Sequence, residues 1–175
     1  MRKRLLFLAI VPVVAVAVVA TAMFLRPSQA SAESLVPFHA TVSETFTAAP
    51  CGTNLRCVTA IGVGHATYLG EIRENASVVI DTDPGKVQNG CSPETRDTRF
   101  TAANGDTITM HGTGWTCAAT SDAHDNYGIT GGSGRFEGAS GSGAEYNVHT
   151  FTGPGVGVAT VTYDGTISSV GSLNP

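Results

Sequence analysis

Basic residues are scarce beyond the first turns of the sequence. From Glu33 onward the chain has one lysine, Lys86, and five arginines, scattered singly among fourteen acidic side chains, a formal charge of −8. Nothing there clusters Lys or Arg to displace counterions from phosphates, so nucleic-acid binding is excluded. Sustained helical periodicity is absent, and so is any repeat of 20–50 residues. There is no C-x-x-C and no His at zinc-finger spacing, so neither a metal nor a cofactor is expected. There is no G-x-S-x-G elbow, and no Gly-Lys-Ser/Thr follows a glycine-rich loop. At 143 residues the stretch makes one ordinary domain, too short for a multidomain enzyme. What it has in abundance is glycine: all 21 glycines of the chain lie in it.

Residues 1–32 have a different character. Arg2, Lys3 and Arg4 precede an apolar run over 5–25, and Ala30-Ser31-Ala32 forms an A-x-A site before Glu33. This pattern is expected to be a cleaved secretion signal. The run is also long enough to span a bilayer, so an uncleaved anchor is the alternative and the only route to a membrane. Either way residues 33–175 are expected outside the cytoplasm, as a secreted domain. In that setting an even count of cysteines reads as a disulfide framework. Of the three pairings open to Cys51, Cys57, Cys91 and Cys117, the one expected is Cys51–Cys57, closing a short loop, with Cys91–Cys117 tying two separated loops.

Alternation of apolar and polar residues, broken by Gly, Asn, Asp and Pro, predicts strands throughout. Over 38–46 it places Phe38, Ala40, Val42, Glu44 and Phe46 on one face. Residues 58–73 read as a long β-rich stretch interrupted at Gly62 and Gly64, with a separate strand over 76–80. Asn104-Gly105 predicts a hairpin with a type I′ turn, and a further hairpin is expected across 129–136. Strands over 144–151 and 156–167 complete a set of about eight. With so few edge charges to block aggregation, closure into a barrel is favoured over an open sheet.

Gly131-Gly132-Ser133-Gly134-Arg135-Phe136, together with the stretches 62–70 and 100–108, resembles secreted bacterial proteins of the allene oxide cyclase-like barrel group. The same core is similar to that of the plant dirigent proteins. The resemblance implies an all-β fold, a single antiparallel eight-stranded barrel with a central cavity. It transfers no catalytic residue, because the matching positions are mostly glycines.

Polar clusters elsewhere have ordinary readings. Asp81, Asp83 and Gly85 lack the later ligands of a calcium loop. Asp122, His124, Asp125 and Asn126 read as a solvated loop. His65, Tyr68, His111 and Trp115 are the candidates for lining a cavity mouth, as residues with an apolar body and a polar tip near glycine-rich bends. Three roles follow as expectations. The first is binding of a small apolar molecule or a structural extracellular role. The second is cofactor-free cyclase or isomerase chemistry inside the barrel. The third is an inhibitor or surface-interaction protein. No oligomeric interface can be read.

Overall fold

The computed structural model describes residues 34–168. The expected leader, with its expected cleavage site before Glu33, and the last residues of the tail lie outside them. Eight strands run in sequence order: β1 (Leu35–Gly52), β2 (Leu55–Ala66), β3 (Gly70–Asp81), β4 (Cys91–Ala102), β5 (Thr107–Cys117), β6 (Asp122–Ser133), β7 (Gly141–Gly153) and β8 (Val156–Ser168). Each pairs antiparallel with its neighbours in sequence, and β8 returns to β1, closing the sheet into a barrel. Closure leaves no free edge, as the scarcity of edge charge predicts.

Period-two alternation decides which residues face inward. Along β1, Phe38, Ala40, Val42, Glu44 and Phe46 are buried while the residues between them are exposed. The connections after β2, β4 and β6 gather at one end of the barrel, and those after β1, β3, β5 and β7 at the other. The first end is plugged. Phe38, Phe100, Ile108, Phe136 and Ile167 are each 2% exposed or less. Phe136 is delivered by a single 3-10 turn, Gly134–Phe136, after β6. Burying each such side chain stabilises the fold by roughly 1.5–3 kcal/mol. We refer to this as the closed end and to the other as the mouth.

Two local readings need correction. Residues 58–73 are not one interrupted strand. They form a hairpin whose turn at Thr67, Tyr68 and Leu69 separates β2 from β3, and 76–80 is the second half of β3. Gly62 and Gly64 leave β2 unbroken. The Asn104-Gly105 hairpin is present, but its turn is not type I′. The Gly105 N–H donates to the Ala102 carbonyl, and Gly105 alone takes a positive φ, of 90°. Asn104 instead accepts the Asp106 N–H on its side chain, at 3.1 Å, which holds its own backbone out of the left-handed region.

Both expected disulfides are formed, Cys51–Cys57 and Cys91–Cys117. Both lie at the mouth. The first spans the β1–β2 hairpin, and the second joins directly opposed residues of β4 and β5. The second closes the longer stretch, with a sequence separation of 26 against 6. On loop-closure entropy, replacing Cys91 and Cys117 together by Ala should lower unfolding free energy by about 3 kcal/mol, and replacing Cys51 and Cys57 by about 2 kcal/mol. Denaturant titration of the two double variants checks this order.

Candidate functional site

The middle of the lumen is charged. Glu44 from β1, Glu74 from β3, Glu94 and Arg96 from β4, Asp125 from β6 and Glu145 from β7 all point inward and are at most 7% exposed. Strand β4 shows how this arises. Glu94, Arg96 and Thr98 occupy the same phase of the alternation as Phe100 and Ala102. One strand therefore carries apolar residues into the closed end and polar ones toward the mouth.

Arg96 is the hub. Its Nη2 donates to Glu44 and to Oε1 of Glu74, the latter at 3.0 Å. Its Nε lies 3.1 Å from Oε1 of Glu145 and donates to the Thr98 hydroxyl at 3.1 Å. Tyr163 of β8 donates its hydroxyl to the same Glu74 oxygen at 2.7 Å. Tyr163 in turn packs edge-on against Phe100 and Tyr127, which ties the charged layer to the apolar plug.

Glu94 and Asp125 stand apart from this hub. Gly114 of β5 lies between their strands, and a Cβ there would fall 2.2 Å from Oδ1 of Asp125. The missing side chain leaves room for Asp125 next to Glu94, the two residues that flank Gly114 in the ladder. No N–H or O–H of the described residues reaches either Asp125 oxygen. Burial of two carboxyls side by side favours a proton on one of them.

Protonation follows from burial. Desolvation pushes Glu94 up to about 9, with the Asp125 charge adding to it. Desolvation likewise pushes Glu44 and Glu145 up to about 8, against the pull of Arg96. Asp125 is also raised, first by burial. One guanidinium does not neutralise five buried carboxyls, so the lumen holds protons at neutral pH.

Above this layer, at the mouth, is a cavity of about 210 Å³. Phe46, Val58, Val78, Ile80 and Phe151 form its apolar wall. Glu44, Glu94, Arg96 and Asn147 form its polar floor, and Arg56, Thr82, Ser92 and Thr116 line it toward the rim. His149 stands beside Phe46 and Phe151, and burial lowers its pKa, so it is a neutral part of the rim.

The residues chosen from sequence lie elsewhere. His65 is exposed on β2, between inward-facing Gly64 and Ala66. Tyr68 sits in the β2–β3 turn at the closed end, 43% exposed, with a φ of 68°. His111 faces outward from β5 and pairs with Asp97 at 2.8 Å. Trp115 shares that outward phase, opposite Pro93 and His124. None of the four lines the cavity, and they are not brought together. The Asp122–Asn126 stretch is not a loop but the start of β6, and its alternation turns Asp125 into the lumen while His124 faces out.

No family model matches the chain. No curated protein matches it significantly either. Among solved structures the chain is similar to the pterocarpan synthase dirigent protein PsPTS1, at 16% identity and a TM-score of 0.47, over 78% of this chain and 96% of that one. It is also similar to the pterocarpan synthase dirigent protein GePTS1, at 13% identity and a TM-score of 0.46, over 81% of this chain and 90% of that one. Likeness at this level assigns neither an activity nor a site residue to this chain, and the barrel rests on its own closed ladder.

Two outcomes are expected from the charged layer. Replacing Arg96 by Met leaves its carboxyls without a cation and should cost about 3–5 kcal/mol of unfolding free energy, measured by urea titration. The pH dependence should run opposite to that of a barrel held by surface salt bridges. Glu44, Glu94 and Glu145 lose their protons near 4.5 when unfolded but only at about 8 to 9 when folded. The unfolded chain thus binds fewer protons between those limits, and stability falls as pH rises through them. Asp106, held below its ordinary 3.8 by Arg135, acts in the other sense only in more acidic solution. Calorimetric Tm should be highest near pH 4.5 and decline toward pH 9. A Tm that climbs across that window would overturn the protonated lumen.

Proposed function

We propose that this protein is an extracellular barrel that binds a small, mainly apolar molecule end-on in the mouth cavity. The observation that carries this reading is the cavity itself, with an apolar wall, a polar floor and a rim to which Arg56, Thr82, Ser92 and Thr116 contribute. For scale, a buried apolar space of about 150 Å³ accommodates benzene. Ligand sites of this kind combine an apolar lining with a few placed polar groups that fix orientation. The two disulfides at the rim support pre-organisation of the mouth, which reduces the ordering cost of binding. They also support export to an oxidising compartment.

A second reading, a cofactor-free cyclase or isomerase, is favoured by one specific observation. Glu94 lines the floor, carries a proton at neutral pH, and has Asp125 behind it to stabilise that state. A protonated carboxyl at the floor of this cavity is placed to donate to an oxygen of a bound molecule.

Native mass spectrometry of the protein recovered from its host's medium tests the first reading. The expected result is an adduct of small organic mass that is lost on denaturation. The adduct should be absent from Ala123→Phe, whose new ring fills the cavity and whose fold is checked by circular dichroism. A bare protein mass in the wild type and in Ala123→Phe alike would overturn it. Incubation of the recovered molecule with wild type and with Glu94→Gln separates binder from catalyst. Conversion by the first and not the second supports the enzyme reading, and return of the molecule unchanged by both supports the binder.

A further inference from the structure

The chain holds two Asn-Gly pairs, Asn89-Gly90 and Asn104-Gly105. Both lie in exposed turns, but their surroundings differ. The type I′ turn that is absent at Asn104 is formed at Asn89, in the connection between β3 and β4. Gln88 and Cys91 exchange both backbone hydrogen bonds there, at 2.9 and 2.8 Å. The two residues between them take positive φ, 52° for Asn89 and 81° for Gly90, as this turn requires. The Asn89 side-chain amide and the Gly90 N–H each have no hydrogen-bond partner among the described residues.

Asn104 is held at both ends of its amide. Its Nδ2 donates to Oδ2 of Asp106 at 2.8 Å, and its Oδ1 accepts the Asp106 N–H at 3.1 Å. The Gly105 N–H donates to the Ala102 carbonyl at 3.0 Å. Asp106 is itself fixed by Nε of Arg135 at 2.9 Å. All three bonds of Asn104 and Gly105 must break before the Asn104 side chain can turn onto the Gly105 nitrogen, the geometry from which the two groups react. Steric access does not separate the two pairs, since a Cβ on either glycine would meet nothing within 4 Å. Hydrogen bonding does: at Asn89 neither reacting group is committed.

We infer that Asn89 is a site of spontaneous deamidation at the rim of the mouth, and that its counterpart Asn104 is protected. The Gly90 nitrogen gives its proton to hydroxide and attacks Cγ of Asn89. The new C–N bond closes a succinimide ring, the bond from Cγ to Nδ2 breaks, and the side-chain nitrogen leaves as ammonia. Water then opens the ring at either carbonyl, giving aspartate or isoaspartate with no change of oxidation state. Either product adds a negative charge to an already acidic domain. Isoaspartate also places an extra methylene in the main chain of the turn, which breaks the match between Gln88 and Cys91. Gly90 and Ser92 line the cavity, and Cys91 is the disulfide partner of Cys117, so the change falls on the rim itself.

Peptide mapping tests this. The intact disulfide-bonded protein is kept in warm, mildly alkaline buffer, sampled over time and digested, and both Asn-Gly peptides are followed by chromatography and mass spectrometry. Asn89 should gain about one mass unit, with isoaspartate among the products, at about tenfold or more the rate of Asn104. The same chain reduced and unfolded in urea should lose that difference, the two sites reacting within about twofold of each other. Asp106→Ala, which frees the Asn104 amide, should bring Asn104 up toward the rate of Asn89. Equal rates in the folded protein, a faster Asn104 or an unreactive Asn89 would overturn the assignment. A difference that persists in urea, or an Asn104 that stays slow in folded Asp106→Ala, would overturn protection by hydrogen bonding. The wild-type comparison, folded against unfolded, decides the matter even if the Ala variant does not fold.

Discussion

A single guanidinium, sealed inside a barrel and held by acids from three other strands, is the constraint around which the interior is arranged. Arg96 draws Glu44, Glu74 and Glu145 from β1, β3 and β7 to one level of the lumen. Those carboxyls outnumber it, so protons make up the difference. An apolar plug could not sit directly against bare charge. Tyr163 mediates, with its ring against Phe100 and its hydroxyl on Glu74. Buried ion clusters of this kind add little net stability over an apolar core, because desolvation offsets the attraction.

The lumen is thereby graded along its axis: a dry aromatic stop, a charged and protonated layer, then an apolar cup open at one end. The covalent cross-links lie at the cup, where packing is thinnest. The closed end has none, because its aromatic core holds it. Rigidity is therefore supplied by two different means at the two ends, and the 210 Å³ cavity lies at the disulfide-held one.

The barrel was legible in the sequence because its cause is local. Alternation acts over a few residues and predicts most of the strands, and the even cysteine count points to both disulfides. The turns were read less well. Tyr68 at positive φ carries no signature of a turn, so β2 and β3 ran together. The site was largely hidden, since a polar residue at an inward position looks the same as one facing solvent until its phase is compared with its strand. Glu44 shares its phase with Phe38, Val42 and Phe46, and Arg96 shares its phase with Phe100. That comparison marks both as interior, and it would equally have turned His65 and His111 outward. Gly114 gave no local signal at all. Its role depends on Asp125 of the next strand, and no spacing along one strand encodes that.

Strands that alternate up and down in sequence order have one geometric result that bears on how the molecule can be presented. Leu35 opposes Ser168 across the seam between β1 and β8. Both ends of the described chain therefore leave from the plugged end, a full strand length from the cup. A tether joined through either terminus, or a surface to which the chain is fixed, meets the barrel at its blind side. The cup then faces away from the point of attachment, open to whatever diffuses past.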